Sequence, residues 1–351
     1  MTLNERIAAF AALGDFFSAF SDEKTEHYNE TITKYLLDLK DVSNTLVHKN
    51  GWFTPKEVTY CIKNWAETLT IEKLNQWLST YDFSQQKESK KVAIIMAGNI
   101  PMVGFHDLLC SLLTGHEVLI KCSSNDKLLI QLITKVLCTI DDRFTSKINF
   151  TEDLIKDFDA VIATGSNNTA RYFEYYFKEK PSIIRKNRNS VAVLTGKESK
   201  ENLISLGEDV FRYYGLGCRS VSKLFVPKNY DFKNLFEAFY HFKEVINEEK
   251  YINNYDYNKA VYLMSNFKLL DNGFLILKED PSYSSPIASL FYEYYDDIAV
   301  LEEQFEADEK LLQCVVNLKS NKNHVVFGET QQPKLSDYAD NTDTIEFMLK
   351  I

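Results

Sequence analysis

The sequence predicts an α/β fold of two Rossmann-like lobes behind a helical N-terminal segment, and three observations carry that prediction. The chain has 351 residues, more than one hydrophobic core usually organises. Short continuous apolar runs alternate three times with helical patterns between residues 92 and 178, the signature of a parallel sheet covered on both faces. Residues 1 to about 80 carry apolar side chains at three and four spacing, which reads as helix.

Within the N-terminal segment, Thr54-Pro55 reads as an N-cap with proline in the first turn, opening a helix over 55–68. The polar run Ser84-Gln85-Gln86-Lys87-Glu88-Ser89-Lys90-Lys91 closes the segment. The first strand is Val92-Ala93-Ile94-Ile95-Met96, followed by the turn Ala97-Gly98-Asn99-Ile100-Pro101 and a helix to Leu113 that stops at Gly115. Val118-Leu119-Ile120 is the next strand and 126–140 the next helix. Asp159-Ala160-Val161-Ile162-Ala163 is the third strand, running through Thr164-Gly165-Ser166 into a helix to about Lys178. The topology is therefore βαβαβα. Ligands of such sheets lie beyond the carboxyl ends of the strands, where Asn99, Lys121 and Gly165-Ser166 fall. A second set of strands and helices begins at Val191-Ala192-Val193-Leu194. Near the C-terminus, Val325-Val326-Phe327 reads as a strand. The alternation Ile345-Glu346-Phe347-Met348-Leu349 predicts an edge strand able to pair with a second copy of the chain as a dimer.

Composition bounds the function. With 45% hydrophobic residues, 26% charged and a net charge of -10, the chain reads as globular and acidic, without the basic stripe that nucleic acid would need. No window approaches ~18 uncharged apolar residues, so no membrane insertion is expected. The N-terminus has no signal-peptide pattern, and six scattered cysteines without CxxC spacing suggest reduced thiols in a cytosol. The six histidines are equally dispersed, so no metal site is expected.

The chemistry centres on Tyr214-Gly215-Leu216-Gly217-Cys218-Arg219-Ser220. Glycines at this spacing permit close approach of backbone and ligand, and Arg212 and Arg219 flank the thiol with positive charge that favours a reactive thiolate. Cys218 is either a nucleophile or, as most cysteines are, an inert small hydrophobe. Asn99 is either an oxyanion donor or a turn asparagine before proline. Lys121, Ser123 and Ser124 end a strand where a nucleotide ribose or phosphate could sit, or are solvated. Thr164, Gly165 and Ser166 open a helix whose N–H groups suit a phosphate, or Ser166 simply caps it. His106 and the aromatic residues Tyr172, Phe173, Tyr175, Tyr176 and Phe177 read as packing.

Taken in order, Gly98-Asn99-Ile100-Pro101, Lys121-Cys122-Ser123-Ser124, Ala163-Thr164-Gly165-Ser166, Gly217-Cys218 and the run from Gln331 to Asp340 resemble the aldehyde dehydrogenase superfamily, and within it the LuxC-type fatty acyl-CoA reductases. The resemblance runs from about Lys91 to the C-terminus. The resemblance is consistent with the division that the sequence pattern places around residue 188: 1–187 as the helical segment plus a dinucleotide-binding domain, 188–318 as a catalytic domain, and 319–351 as a tail with a strand that could oligomerise. It also implies Cys218 as the acyl-carrying nucleophile and Asn99 as oxyanion donor. Lys121, with Ser123 and Ser124, would lie on the adenosine ribose, and Gly98, Thr164, Gly165 and Ser166 near the cofactor.

Aldehyde-oxidising relatives carry a glutamate upstream of the nucleophile that activates water. The corresponding stretch here is Ile183-Ile184-Arg185-Lys186-Asn187-Arg188, which favours a reductase. Ser124 stands where many NAD-using relatives place an acid, which favours NADPH, with NADH as the alternative. Pro281-Ser282-Tyr283-Ser284-Ser285-Pro286 replaces the segment that holds the nicotinamide ribose in relatives. The expected activity is reduction of an acyl-CoA, or an acyl group on a carrier, to the aldehyde. A transferase using the same cysteine, or a non-catalytic subunit of this fold, are the alternatives.

Overall fold

A computed structural model of the chain describes residues 1–21, 30–85, 88–318 and 324–351; Gln86 and Lys87 of the polar run lie outside them. Two compact units result, residues 1–186 with 334–351, and residues 187–333.

The first unit opens with α1 (Leu3–Ser21), α2 (Glu30–Lys49), α3 (Pro55–Thr68) and α4 (Ile71–Leu78). Helix α1 is apolar nearly all round, and Phe10, Leu13, Phe16 and Phe17 are fully buried because α2, α3 and α4 close over it. Helix α3 starts as the sequence predicts, with Thr54 extended and Pro55 in the first turn. There follow β1 (Lys91–Ile95), α5 (Phe105–Leu113), β2 (Glu117–Lys121), α6 (Lys127–Ile140), β3 (Ile148–Phe150), β4 (Ala160–Thr164), α7 (Asn167–Tyr176) and β5 (Ser182–Arg185). Gly115, at φ 85°, ends α5 in the left-handed region that favours glycine.

The sheet is parallel in the order β3-β2-β1-β4-β5. The chain winds one way from β1 to β2 and the other way to β4, so the topological switch point lies at β1. Two strands lie beyond the three expected. β3 has only three residues and an exposed face, too short for a periodic signal. β5 is four residues long and ends in a buried arginine where the pattern would place polar surface.

The second unit contains β6 (Asn189–Val193), α8 (Lys200–Phe211), β7 (Val221–Pro227), α9 (Lys233–Phe239), α10 (Glu249–Met264), β8 (Leu269–Asp271), β9 (Ile276–Glu279), β10 (Ser289–Tyr295), α11 (Ile298–Ala307), β11 (Leu312–Asn317) and β12 (His324–Val326). Its sheet runs β12-β11-β6-β7-β10-β9-β8, parallel except where β8 meets β9. Phe211, Phe239 and Phe274 pack at ring separations of 5.3 and 5.9 Å in the core on one face.

The chain then returns to the first unit and ends in α12 (Thr344–Lys350). The expected edge strand over 345–349 is thus a helix. The Asp343 side chain accepts the Glu346 N–H at 2.8 Å as an N-cap, and Ile345 and Met348, three apart, are both fully buried as α12 packs on α5. Alternation over five residues is too short to separate the two periods. With no edge strand there, dimerisation through it loses its basis. Among the described residues no helix is long and apolar enough to cross a membrane, and no group of His, Cys, Asp or Glu is placed to hold a metal ion.

Candidate active site

In the first unit, the expected cofactor-side residues gather at one edge of the sheet. Ile95, at the end of β1, is level with Lys121 of β2 and Ala163 of β4, so Gly98-Asn99, Lys121–Ser124 and Thr164–Ser166 leave adjacent strand ends. Gly98 is packed against the segment after β2: a Cβ there would lie 2.4 Å from Ser123 Oγ and 3.1 Å from the Asn125 Cβ. Only glycine lets the two loops close on each other. Asn99 and Ser124 are exposed on this edge. The Lys121 ammonium donates to the Asp153 carbonyl at 3.0 Å. Ser166 caps α7, accepting the Thr169 N–H at 3.2 Å, so the capping alternative holds, and the first backbone N–H groups of α7 open on the same edge.

The turn carrying Asn99 has a support that the sequence did not disclose. Met102 sits at φ 56° and donates its N–H to Asp126 Oδ2 at 2.9 Å. Asp126 is buried, and burial pushes its carboxyl well above the usual range. A lone aspartate at a helix start reads as an ordinary cap, so no sequence signal marked it.

In the second unit, Cys218 lies in the turn before β7, at the amino end of that strand, and is the one exposed cysteine of six. The others are poor competitors: burial pushes the Cys122 thiol up to about 12, and raises Cys110 and Cys138 as well. Tyr213, Tyr214 and Gly215 take φ of 51°, 58° and 76° in succession, a costly run for two buried tyrosines and one typical of functional loops.

Side chains from several elements fasten this loop. Ser190, fully buried at the start of β6, donates to the Cys218 carbonyl at 2.9 Å and accepts the Cys314 N–H at 3.1 Å. Arg219 donates to the Thr330 carbonyl, and Gln331 to Ser220 Oγ at 3.2 Å. Arg212 is paired with Glu208 at 2.5 Å. The positive flank expected around Cys218 is therefore largely engaged in the architecture of its own unit. Replacing Ser190 with alanine removes the hydroxyl joining two strands and the Cys218 turn; a loss of about 1–3 kcal/mol is expected in urea unfolding.

The Pro281–Pro286 segment is tied to the same strand. The Ser222 hydroxyl donates to the Tyr283 carbonyl at 2.7 Å, and the buried Lys223 ammonium to the Pro281 carbonyl at 2.8 Å while paired with Glu293 at 2.6 Å. His106 packs between Trp65 and Trp77 and faces the Leu335 carbonyl through Nε2 at 2.9 Å, with its pKa lowered by burial. It is a packing residue, as expected. The stretch read for a water-activating base instead supplies Arg185, which is buried against Asp107 at 2.6 Å.

The sequence profile of the acyl-CoA reductase (LuxC) family matches residues 5–241, taking in the N-terminal helices ahead of the quoted motifs. A long-chain acyl-protein thioester reductase of Aliivibrio fischeri is 23% identical over 226 residues, covering 58% of this chain and 47% of that protein. The matched stretch is thus about half the length of that relative. Among solved structures, aldehyde dehydrogenase 21 of Physcomitrella patens, in complex with succinate, superposes with a TM-score of 0.68 at 11% identity, over 100% of this chain and 84% of that one. An aldehyde dehydrogenase of Bacillus cereus in its NAD+ complex gives 0.60 at 12% identity, over 92% and 73%. Both share the fold.

Proposed function

The chain belongs to the acyl-CoA reductase (LuxC) family, and from that premise we propose that it reduces a fatty acyl thioester to the aldehyde through an acyl intermediate on Cys218. The observation that carries this reading is a single exposed thiol in a strained loop fastened by buried side chains. The Cys218 thiolate attacks the thioester carbonyl, a C–S bond to Cys218 forms, and the bond to CoA breaks with release of the CoA thiolate, which takes up a proton. Asn99 is assigned to donate to the oxyanion of the tetrahedral intermediate. Collapse of the reduced hemithioacetal breaks the C–S bond, frees the aldehyde and restores the Cys218 thiolate.

The carboxyl edge of the first unit's sheet fits a dinucleotide. Gly98 lets the turn after β1 close on the loop after β2, α7 presents N–H groups that suit a phosphate, and Lys121 with Ser123 and Ser124 is assigned to the ribose. Thr164 and Gly165 leave the end of β4 on the same edge, which supports binding of a nicotinamide cofactor there. NADPH is proposed over NADH because Ser124 leaves no carboxylate against a 2'-phosphate. When bound, the cofactor supplies the hydride that reduces the acyl group.

The test is intact-mass detection of an acyl adduct on Cys218 after mixing with long-chain acyl-CoA, followed by its discharge as aldehyde on adding NADPH or NADH. An adduct that transfers to other thiols but never discharges with either nucleotide indicates a transferase, and no adduct at all indicates a non-catalytic chain. Asn99→Ala should lower kcat by about 10²–10³-fold with the adduct still formed slowly. A kcat within twofold of native removes Asn99 from its assigned role.

A further inference from the structure

We infer that Asp209, acting through the strap 328–331, positions the Cys218 loop; the inference rests on the proposed role of Cys218. Asp209 is fully buried in the last turn of α8. Its Oδ2 accepts the Gly328 N–H at 2.7 Å, and its Oδ1 accepts the Thr330 N–H at 3.0 Å and the Thr330 hydroxyl at 2.7 Å. The strap passes this attachment on. The Thr330 carbonyl accepts from Arg219 and the Gln331 amide donates to Ser220. The two residues that follow the nucleophile are thereby tied to one carboxylate, while Ser190 holds the nucleophile's own carbonyl.

The placement of Asp209 is unfavourable for stability alone. Burial pushes its carboxyl up to about 6 against the lowering effect of three donors, and a negative charge in the last turn opposes the helix dipole. An apolar residue there would avoid both costs, but it could not orient three donors at once. The Gln331 end of the motif run thus finds a use in ordering the nucleophile turn rather than in touching substrate. Asp209 is in this sense a positioning residue, not a catalytic one.

The experiment compares Thr330→Val, which removes the hydroxyl donor and keeps the shape, with Thr330→Ser, which keeps the donor, and with Asp209→Asn. Two readouts are taken on the full chain: backbone hydrogen exchange of residues 216–220, and single-turnover acylation of Cys218 by palmitoyl-CoA. Thr330→Val and Asp209→Asn should raise exchange of 216–220 by about tenfold with β9 unchanged, and should lower the acylation rate by about 10–100-fold with little change in KM. Thr330→Ser should restore native values. Unchanged exchange at 216–220 in folded Thr330→Val, or a Thr330→Ser as defective as Thr330→Val, overturns the inference. If Asp209→Asn fails to fold, the Thr330 pair decides alone. If native protein forms no adduct, the proposed function fails, and the exchange measurement still decides the positioning role.

Discussion

Cys218→Ala is expected to abolish thioester reduction, lowering kcat by roughly 10⁴-fold or more while leaving the fold intact. The loss is large because no neighbouring thiol can substitute. Cys61, Cys110 and Cys314 are buried, and burial holds the Cys122 and Cys138 thiols protonated at neutral pH. Stability should change by no more than about 0.5 kcal/mol, since the side chain is exposed in a turn and the Cys218 carbonyl, which the substitution keeps, is held by Ser190. Thermal melting and intact mass after acyl-CoA treatment measure the two halves separately. A variant that melts as the native chain does and still consumes NADPH with acyl-CoA at a comparable rate would end the covalent mechanism.

Arg185→Met is expected to destabilise the first unit by about 3–5 kcal/mol, the largest structural effect foreseen. Arg185 is 6% exposed and Asp107 1%, with Nη1 to Oδ2 at 2.6 Å and Nη2 donating to Thr344 Oγ1 at 3.1 Å. Burial by itself would lower the guanidinium pKa, but the Asp107 charge and hydrogen bond outweigh it and raise it. Removing the cation leaves a carboxylate in a site without water to solvate it. At about 2–4 °C per kcal/mol for a unit of this size, the melting temperature should fall by roughly 6–20 °C. The paired change Asp107→Leu with Arg185→Met should recover most of that loss, because two apolar side chains need no partner. A single variant that melts within about 2 °C of native would show that the pair is not desolvated.

The sequence by itself determined the helices of residues 1–80, the alternation of strand and helix, and the candidates Gly98, Asn99, Lys121, Ser166 and Cys218. Those features are local: apolar periodicity, a Thr-Pro start, a glycine at positive φ and a thiol among glycines each leave their mark within a few residues. Tertiary structure alone decided the rest. Ile345–Leu349 became helix because Asp343 caps it and α5 receives Ile345 and Met348. Asp107, Asp126, Ser190, Asp209 and Arg185 read as ordinary polar residues in the chain. Their partners lie 24, 28, 78, 119 and more positions away, and only the folded backbone brings donor, acceptor and exclusion of water to the same place.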